Sequence, residues 1–276
     1  MAALTTEKLG AHVGALVHEV DRDRLLHDED LPAATLEALE VSGALVFRGL
    51  HIDDGTQIAF SKRLGDVEVF GRGEHPEIFR VTLDPEKNPS AAYLRGTFDW
   101  HIDGMTDDIP IMATVLSAHA VAETGGETEF ASTYRAYDEL TDEEKERFGQ
   151  VRVVHTFEAA QRVANDDPTP EELAMWRRRP AKEHPLVWRH RDGRCSLVLG
   201  ATTSHVVGME PDEGRALLND LLARSTAAER IYRHEWQVGD MVIWDNRGVL
   251  HRACRYDPTS PRDMHRTTLA GDEPVQ

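Results

Sequence analysis

The chain of 276 residues is short of positive charge: 31 Lys and Arg face 49 Asp and Glu, for a formal charge of −18. Such a surface repels phosphate backbones and anionic lipid, so neither a nucleic acid nor a membrane is an expected partner. The densest basic run, Arg177-Arg178-Arg179, sits among Pro and Glu and reads as a solvated surface stretch. Cysteine is scarce too. Cys195 and Cys254 stand in unrelated contexts with no Cys-x-x-Cys pairing, which suits reduced, buried thiols rather than a disulfide framework. No apolar run reaches membrane-spanning length, and the start Met1-Ala2-Ala3-Leu4-Thr5-Thr6-Glu7 lacks the basic residues and apolar stretch of a signal peptide. The expected location is therefore cytoplasmic. Repeats and low-complexity linkers are also missing, so nothing divides residues 1–276 into more than one domain. With 40% hydrophobic and 29% charged residues, the composition is that of an ordinary globular protein.

Hydrophobic spacing predicts helix over 34–39, ending near Gly43, then a short apolar strand over 44–47. Asp54-Gly55-Thr56-Gln57 resembles a capping box opening a helix that runs through Ile58, Phe60 and Leu64. Further on, strands are predicted over 78–83, 112–121, 128–131, 151–157, 186–189, 197–199, 231–236, 241–244, 249–253 and 265–269, with helices over 134–148 and 211–224. Many short strands with Gly, Asp and Pro punctuation predict a mainly β sandwich or barrel with flanking helices. Residues 159–183 show little periodicity, and so long a loop in a compact domain suggests a lid over a site.

Five histidines stand two residues before an acid: His27-x-Glu29, His51-x-Asp53, His75-x-Glu77, His101-x-Asp103 and His190-x-Asp192. Strand side chains alternate, so this spacing can place both groups on one face. His27 lies in a polar run, Asp53 at a helix start, His75 before Pro76 in a Gly-rich loop, and Asp192-Gly193 at a turn. Only Phe98-Asp99-Trp100-His101-Ile102-Asp103-Gly104-Met105 sets the pair among apolar and aromatic residues. A buried His and Asp need a partner to offset their desolvation, and a divalent metal supplies one. Two His and one carboxylate with open positions is the arrangement of non-haem iron(II) oxygenases. The third ligand comes from elsewhere, and His251 is the best placed, deep in the second of two apolar strands separated by a turn at 246–248. A hydrogen-bonded core histidine is the alternative reading there.

Several separated segments point the same way: Lys8-Leu9-Gly10-Ala11, Phe60-Ser61-Lys62-Arg63-Leu64-Gly65, Trp100-His101-Ile102-Asp103, Gly125-Gly126-Glu127-Thr128-Glu129-Phe130, Gly239-Asp240 through His251-Arg252-Ala253, and Pro261 through Leu269. In order and spacing, from about 9 to 274, the chain resembles the taurine dioxygenase/TfdA-type family of iron(II)- and 2-oxoglutarate-dependent oxygenases. The resemblance implies a double-stranded β-helix, a cupin-like jelly-roll core with helices outside. It also implies Fe(II) on His101, Asp103 and His251, with 2-oxoglutarate and O2 as cosubstrates. Arg262, eleven residues after His251, would grip the far carboxylate of 2-oxoglutarate bidentately, and Thr128 would share it. Arg266 belongs to the same pocket, toward cosubstrate or substrate. The implied reaction oxidises, most simply hydroxylates, a C–H bond of a small organic molecule, releasing succinate and CO2.

The departures concern the substrate. Phe70 stands where taurine-type enzymes bind sulfonate with a His, and Thr97 where they have an Asn, which disfavours taurine. An apolar or aromatic-bearing substrate fits Phe70, Phe98, Trp100 and Met105 better, with core packing as the alternative reading of that cluster; the candidate substrate residues are Phe70, Thr97, Phe98, Met105 and Arg266. Asp103 keeps the carboxylate that halogenating relatives lack. Desaturation or isonitrile formation uses the same ligands and stays open, as do a non-catalytic jelly-roll binding protein and a zinc hydrolase on the same three residues. A homodimer or homotetramer is also left open.

Overall fold

The computed structural model describes residues 4–276. Its main element is a seven-stranded sheet in the order Thr6–Lys8, Ala15–Val17, Ala44–Phe47, Met241–Asp245, Ala113–Ala120, Asp263–Leu269, Phe79–Val81. All neighbours are antiparallel except Ala15–Val17 with Ala44–Phe47. The unbroken run Met241-Val242-Ile243-Trp244 is explained by burial on both faces. Val242 and Trp244 pack with Leu116, Phe130, Val249 and Met264 on one side; Met241 and Ile243 pack with Leu39, Phe60 and Leu64 from helices on the other.

Those outer helices are Leu31–Ser42 and Asp54–Leu64. Asp53 caps the second, its carboxylate accepting from the Thr56 N–H at 2.8 Å. The buried Gln57 fastens it to the sheet by donating to the Val115 and His265 carbonyls at 3.1 and 3.0 Å. Against the inner face lies a three-stranded antiparallel sheet in which Thr128–Ser132 sits between Tyr232–His234 and Val249–Ala253. Smaller sheets, Thr203–Val206/Arg152–His155/Lys182–Pro185 and Cys195–Leu197/Val187–Arg189, extend the inner layer together with helix Pro211–Ser225.

Met241–Asp245 and Val249–Ala253, though separated by only three residues, belong to different sheets. Asp245 turns the chain by accepting from the backbone N–H and Nε of Arg247 at 3.0 and 2.8 Å, and Asn246 donates to Thr114 Oγ1 at 2.9 Å. Position 248 must be glycine, since a Cβ there would fall 2.0 Å from the Tyr134 ring.

The expected helix over 134–148 is two helices, Thr133–Asp138 and Asp142–Phe148. A capping box between Thr141 and Glu144 starts the second. Residues 159–183 are not the irregular loop that was expected. They contain most of helix Phe157–Arg162, all of helix Pro170–Trp176 and the start of strand Lys182–Pro185, pieces too short to show periodicity. Both cysteines are unpaired and half-buried rather than fully buried. No described helix is long and apolar enough to cross a membrane.

Candidate metal centre

His101 and His251 face each other across an isolated antiparallel bridge, each N–H donating to the other's carbonyl at 3.0 and 2.9 Å. Strand pairing at 101–103 is limited to that bridge, because Asp103 opens a turn through Gly104 (φ +82). The turn still aims the carboxylate at both rings: Asp103 Oδ1 lies 3.7 Å from His101 Nε2, and Oδ2 lies 3.7 Å from His251 Nε2. The three donors lie within 4.8 Å of one another. The Asp99 carbonyl, 2.8 Å from His101 Nδ1, favours the proton on that nitrogen and leaves the Nε2 lone pair facing Asp103.

Protonation states suit ligation. Burial, with His101 alongside, pushes the His251 imidazole down to about 3, so it is neutral at pH 7. Burial alone would raise the Asp103 carboxyl, but Arg266, the imidazoles and Thr114 outweigh it and hold Asp103 below the usual carboxylate range. Arg266 Nη1 is 3.4 Å from Asp103 Oδ2. Buried His155 is likewise pushed down to about 3, and burial also depresses His184, His190 and His234. Histidines that are protonated when unfolded but neutral when folded make stability rise with pH, so stability is complete above about 6.5 and is lost as pH falls toward 3. The metal-free protein should therefore lose on the order of 2 kcal/mol per such imidazole as far down as about 3 between pH 7.5 and 5. Urea midpoints across that range check this; a flat profile would contradict it.

Beside the three donors is a small pocket of about 50 Å³ that opens toward solvent. Val81, Leu94, Leu116, Trp244 and Ala253 supply its apolar walls; Thr97, Thr128, Arg262 and Arg266 supply its polar groups. Arg262 is 2% exposed, and among the described residues no carboxylate pairs with it. Its Nε donates to the Gly126 carbonyl at 3.3 Å, and its guanidinium stands 4.8 Å from the Tyr256 ring centre. An unpaired buried cation at the wall of a pocket fits an anionic ligand. Gly126 (φ +77) allows the approach, as a Cβ there would meet the Arg262 side chain at 3.0 Å. Thr128 Oγ1 accepts from Trp236 Nε1 at 2.9 Å, so its own proton is free to donate into the pocket.

The residues expected on the substrate side are scattered. Thr97 lines the pocket but donates to the Leu94 carbonyl at 2.7 Å. Phe70 is 40% exposed, packs edge-on to Phe79, and lies with it under the Arg266 guanidinium. Phe98 turns aside to Tyr256, ring centres 5.9 Å apart. Met105, 1% exposed, is a core residue beside Trp100 and Ile102, where backbone turning after Asp103 sends it inward. Leu94, Trp236 and Tyr256 were missed; only the fold brings them to the site, and no local spacing marks them.

Gly200 supports the bridge from behind. It sits at φ +115, and a Cβ there would lie 2.7 Å from the Trp100 carbonyl oxygen and 2.9 Å from His101 Cα. Gly200→Ala should cost about 2 kcal/mol or more in urea unfolding and weaken metal binding by displacing His101. Unchanged values of both would show that the contact has slack.

The family model described as taurine catabolism dioxygenase TauD, TfdA family matches residues 5–268. An alpha-ketoglutarate-dependent 2,4-dichlorophenoxyacetate dioxygenase of Cupriavidus pinatubonensis is 35% identical over 253 residues, covering 86% of this chain and 88% of its own. A (S)-phenoxypropionate/alpha-ketoglutarate-dioxygenase of Delftia acidovorans is 31% identical, covering 95% and 93%. The crystal structure of AAD-2 in complex with Mn(II) and N-oxalylglycine superposes with a TM-score of 0.83 at 31% identity, covering 99% of this chain and 100% of that one.

Proposed function

Because the chain belongs to the taurine catabolism dioxygenase TauD, TfdA family, and so is an iron(II)- and 2-oxoglutarate-dependent dioxygenase, we propose that His101, Asp103 and His251 hold its iron while Thr128 and Arg262 hold 2-oxoglutarate. The enzyme oxidises a small organic substrate with release of succinate and CO2. The observation that carries the residue assignment is the convergence of three donors beside a buried arginine with no acid of its own. The seven-stranded sheet and the sheet centred on Thr128–Ser132 are read as the two walls of a double-stranded β-helix, with residues 1–276 as one domain. The 159–183 insert acts as a cover, supported by Gln161, which donates to the Tyr93 carbonyl at 3.4 Å and so rests on the 3-10 helix Ala91–Phe98 that carries Leu94 and Thr97.

Iron(II) supplies the redox chemistry that couples oxidative decarboxylation of 2-oxoglutarate to oxidation of a substrate C–H bond. The chain's residues supply the rest. His101 presents Nε2 because the Asp99 carbonyl occupies Nδ1, and His251 arrives neutral and so need not lose a proton at pH 7 to ligate. Arg262 and the Thr128 hydroxyl fix the far carboxylate; Leu94, Val81, Leu116 and Trp244 keep water off the pocket. Asp103 keeps a carboxylate at the metal, which favours hydroxylation over halogenation. Arg266, roofed by Phe70 and Phe79, is the anchor proposed for an anionic substrate with an aromatic body, an aryloxy carboxylic acid like those named for the relatives. Taurine is disfavoured by Phe70 and Thr97.

Succinate formation with Fe(II), 2-oxoglutarate and O2 across a panel of aryloxy acids, alkyl sulfates and taurine is the test. Turnover with an aryloxy acid that drops in Arg266→Gln is expected. Turnover on neutral compounds alone, indifferent to Arg266, would remove the proposed substrate class.

A further inference from the structure

On the opposite face of the seven-stranded sheet, outside the pocket, Asp54, His119 and His265 form a second convergence of donors, all within 4.8 Å of one another. Strand alternation puts them there. Leu116 and Arg266 face the pocket, so His119 on Ala113–Ala120 and His265 on Asp263–Leu269 face outward, under the first turn of helix Asp54–Leu64. The two imidazoles stack, with centres 3.7 Å apart and planes 17° from parallel. His265 Nδ1 is 2.5 Å from Asp54 Oδ1, and His119 Nε2 is 3.9 Å from the same oxygen and 3.1 Å from Ser117 Oγ. The neighbouring charges largely cancel: Arg22 pairs with Asp53, and Arg80 with Asp263. Two carboxylates face the rings: Asp54 against both, and Asp263, which pairs with Arg80 and whose Oδ1 also lies 3.7 Å from His265 Nε2. A water-accessible cavity opens over the group, with His75 also on its wall.

We propose that Asp54, His119 and His265 bind a second divalent transition-metal cation of the zinc class, separate from the iron centre. Two imidazole nitrogens and a carboxylate oxygen are a zinc donor set once the His119 ring turns out of its near-parallel stack and away from Ser117, with the open cavity leaving room for that turn and for water as the fourth ligand. Binding replaces the hydrogen bond between His265 and Asp54: the ring takes the tautomer with its proton on Nε2, 3.7 Å from Asp263 Oδ1, and presents the Nδ1 lone pair to the ion. The ion ties a helix to two strands of the sheet. One of them carries Arg266, adjacent to His265 on the pocket side, so the outer ion would stiffen the pocket wall from behind.

Zn(II) binding to the metal-stripped chain is measured by equilibrium dialysis and by the thermal midpoint. The full-length protein is expected to bind two equivalents. The double variant His101→Ala/His251→Ala should keep one, and that one should raise its midpoint. His119→Ala should lose the outer equivalent yet form succinate with Fe(II) as the unaltered chain does, and His119→Gln serves as the milder variant should the alanine fold poorly. A single equivalent in the unaltered chain, none in the double variant, or two in both His119 variants would each overturn the site. In those cases the Asp54–His265 contact is a helix-to-strand hydrogen bond and nothing more.

Discussion

Arg262→Met is expected to raise the KM for 2-oxoglutarate by at least about 100-fold, while leaving the ligand-free protein more stable than before. Both effects come from one observation, an arginine 2% exposed whose partners are the Gly126 carbonyl and the Tyr256 side chain, with no carboxylate among them. In the ligand-free chain the cation has lost its hydration without gaining a counter-charge, and burial accordingly lowers its pKa. Methionine removes that cost at similar volume, so the thermal midpoint should rise. On the proposed assignment, 2-oxoglutarate brings a carboxylate to the same buried cation through paired N–H donors, where losing one partner costs several kcal/mol. Arg262→Lys keeps the charge and loses the fork, and should fall between, at roughly ten-fold. Succinate formation at varied 2-oxoglutarate gives the KM, and thermal unfolding without ligands gives the stability. An unchanged KM would place the carboxylate elsewhere; a lower midpoint would mean that Arg262 has a partner in the resting protein.

Asp103→Ala should reduce coupled turnover by more than about 100-fold, since even groups one step removed from a metal commonly cost 10–100-fold. The carboxylate does two things that alanine cannot. It completes the donor set between the two Nε2 atoms, and it opposes Arg266 at 3.4 Å. Without it Arg262 and Arg266 share a pocket with no acid among its lining residues, a setting that repels a divalent cation. Loss of the weak visible band formed anaerobically by Fe(II) and 2-oxoglutarate would trace the defect to the metal. A normal band with lost turnover would instead place Asp103 outside the iron's ligands.

Much of this was readable from residues alone, and for definite reasons. The run Met241-Val242-Ile243-Trp244 announced itself because a strand buried on both faces has no polar positions to confuse its pattern. The His101-x-Asp103 pair stands out among five such triplets by its apolar setting, and the fold brings both residues to His251. What stayed hidden depended on distance in sequence. That 245 and 249 enter different sheets follows from the lock of Gly248 against Tyr134, which no local window contains. Met105 reads as a pocket residue until the turn at Gly104 sends it into the core, and Phe98 until Tyr256 claims it. The helices within 157–176 were obscured by being only six and seven residues long. The capping pairs Thr141/Glu144 and Thr169/Glu172 were local signals that could have revealed two of the helix starts.

The bridge between His101 and His251 joins positions 150 residues apart in the chain. A growing polypeptide that has emerged only as far as the first histidine holds at most two of the three donors, with the partner strand not yet made. On the proposed ligation, tight iron capture waits until Val249–Ala253 has closed against residue 101, after both sheets have assembled around it. Metal loading would then report completed topology: partly folded chains would stay iron-free, and redox chemistry would start only in molecules already able to contain it.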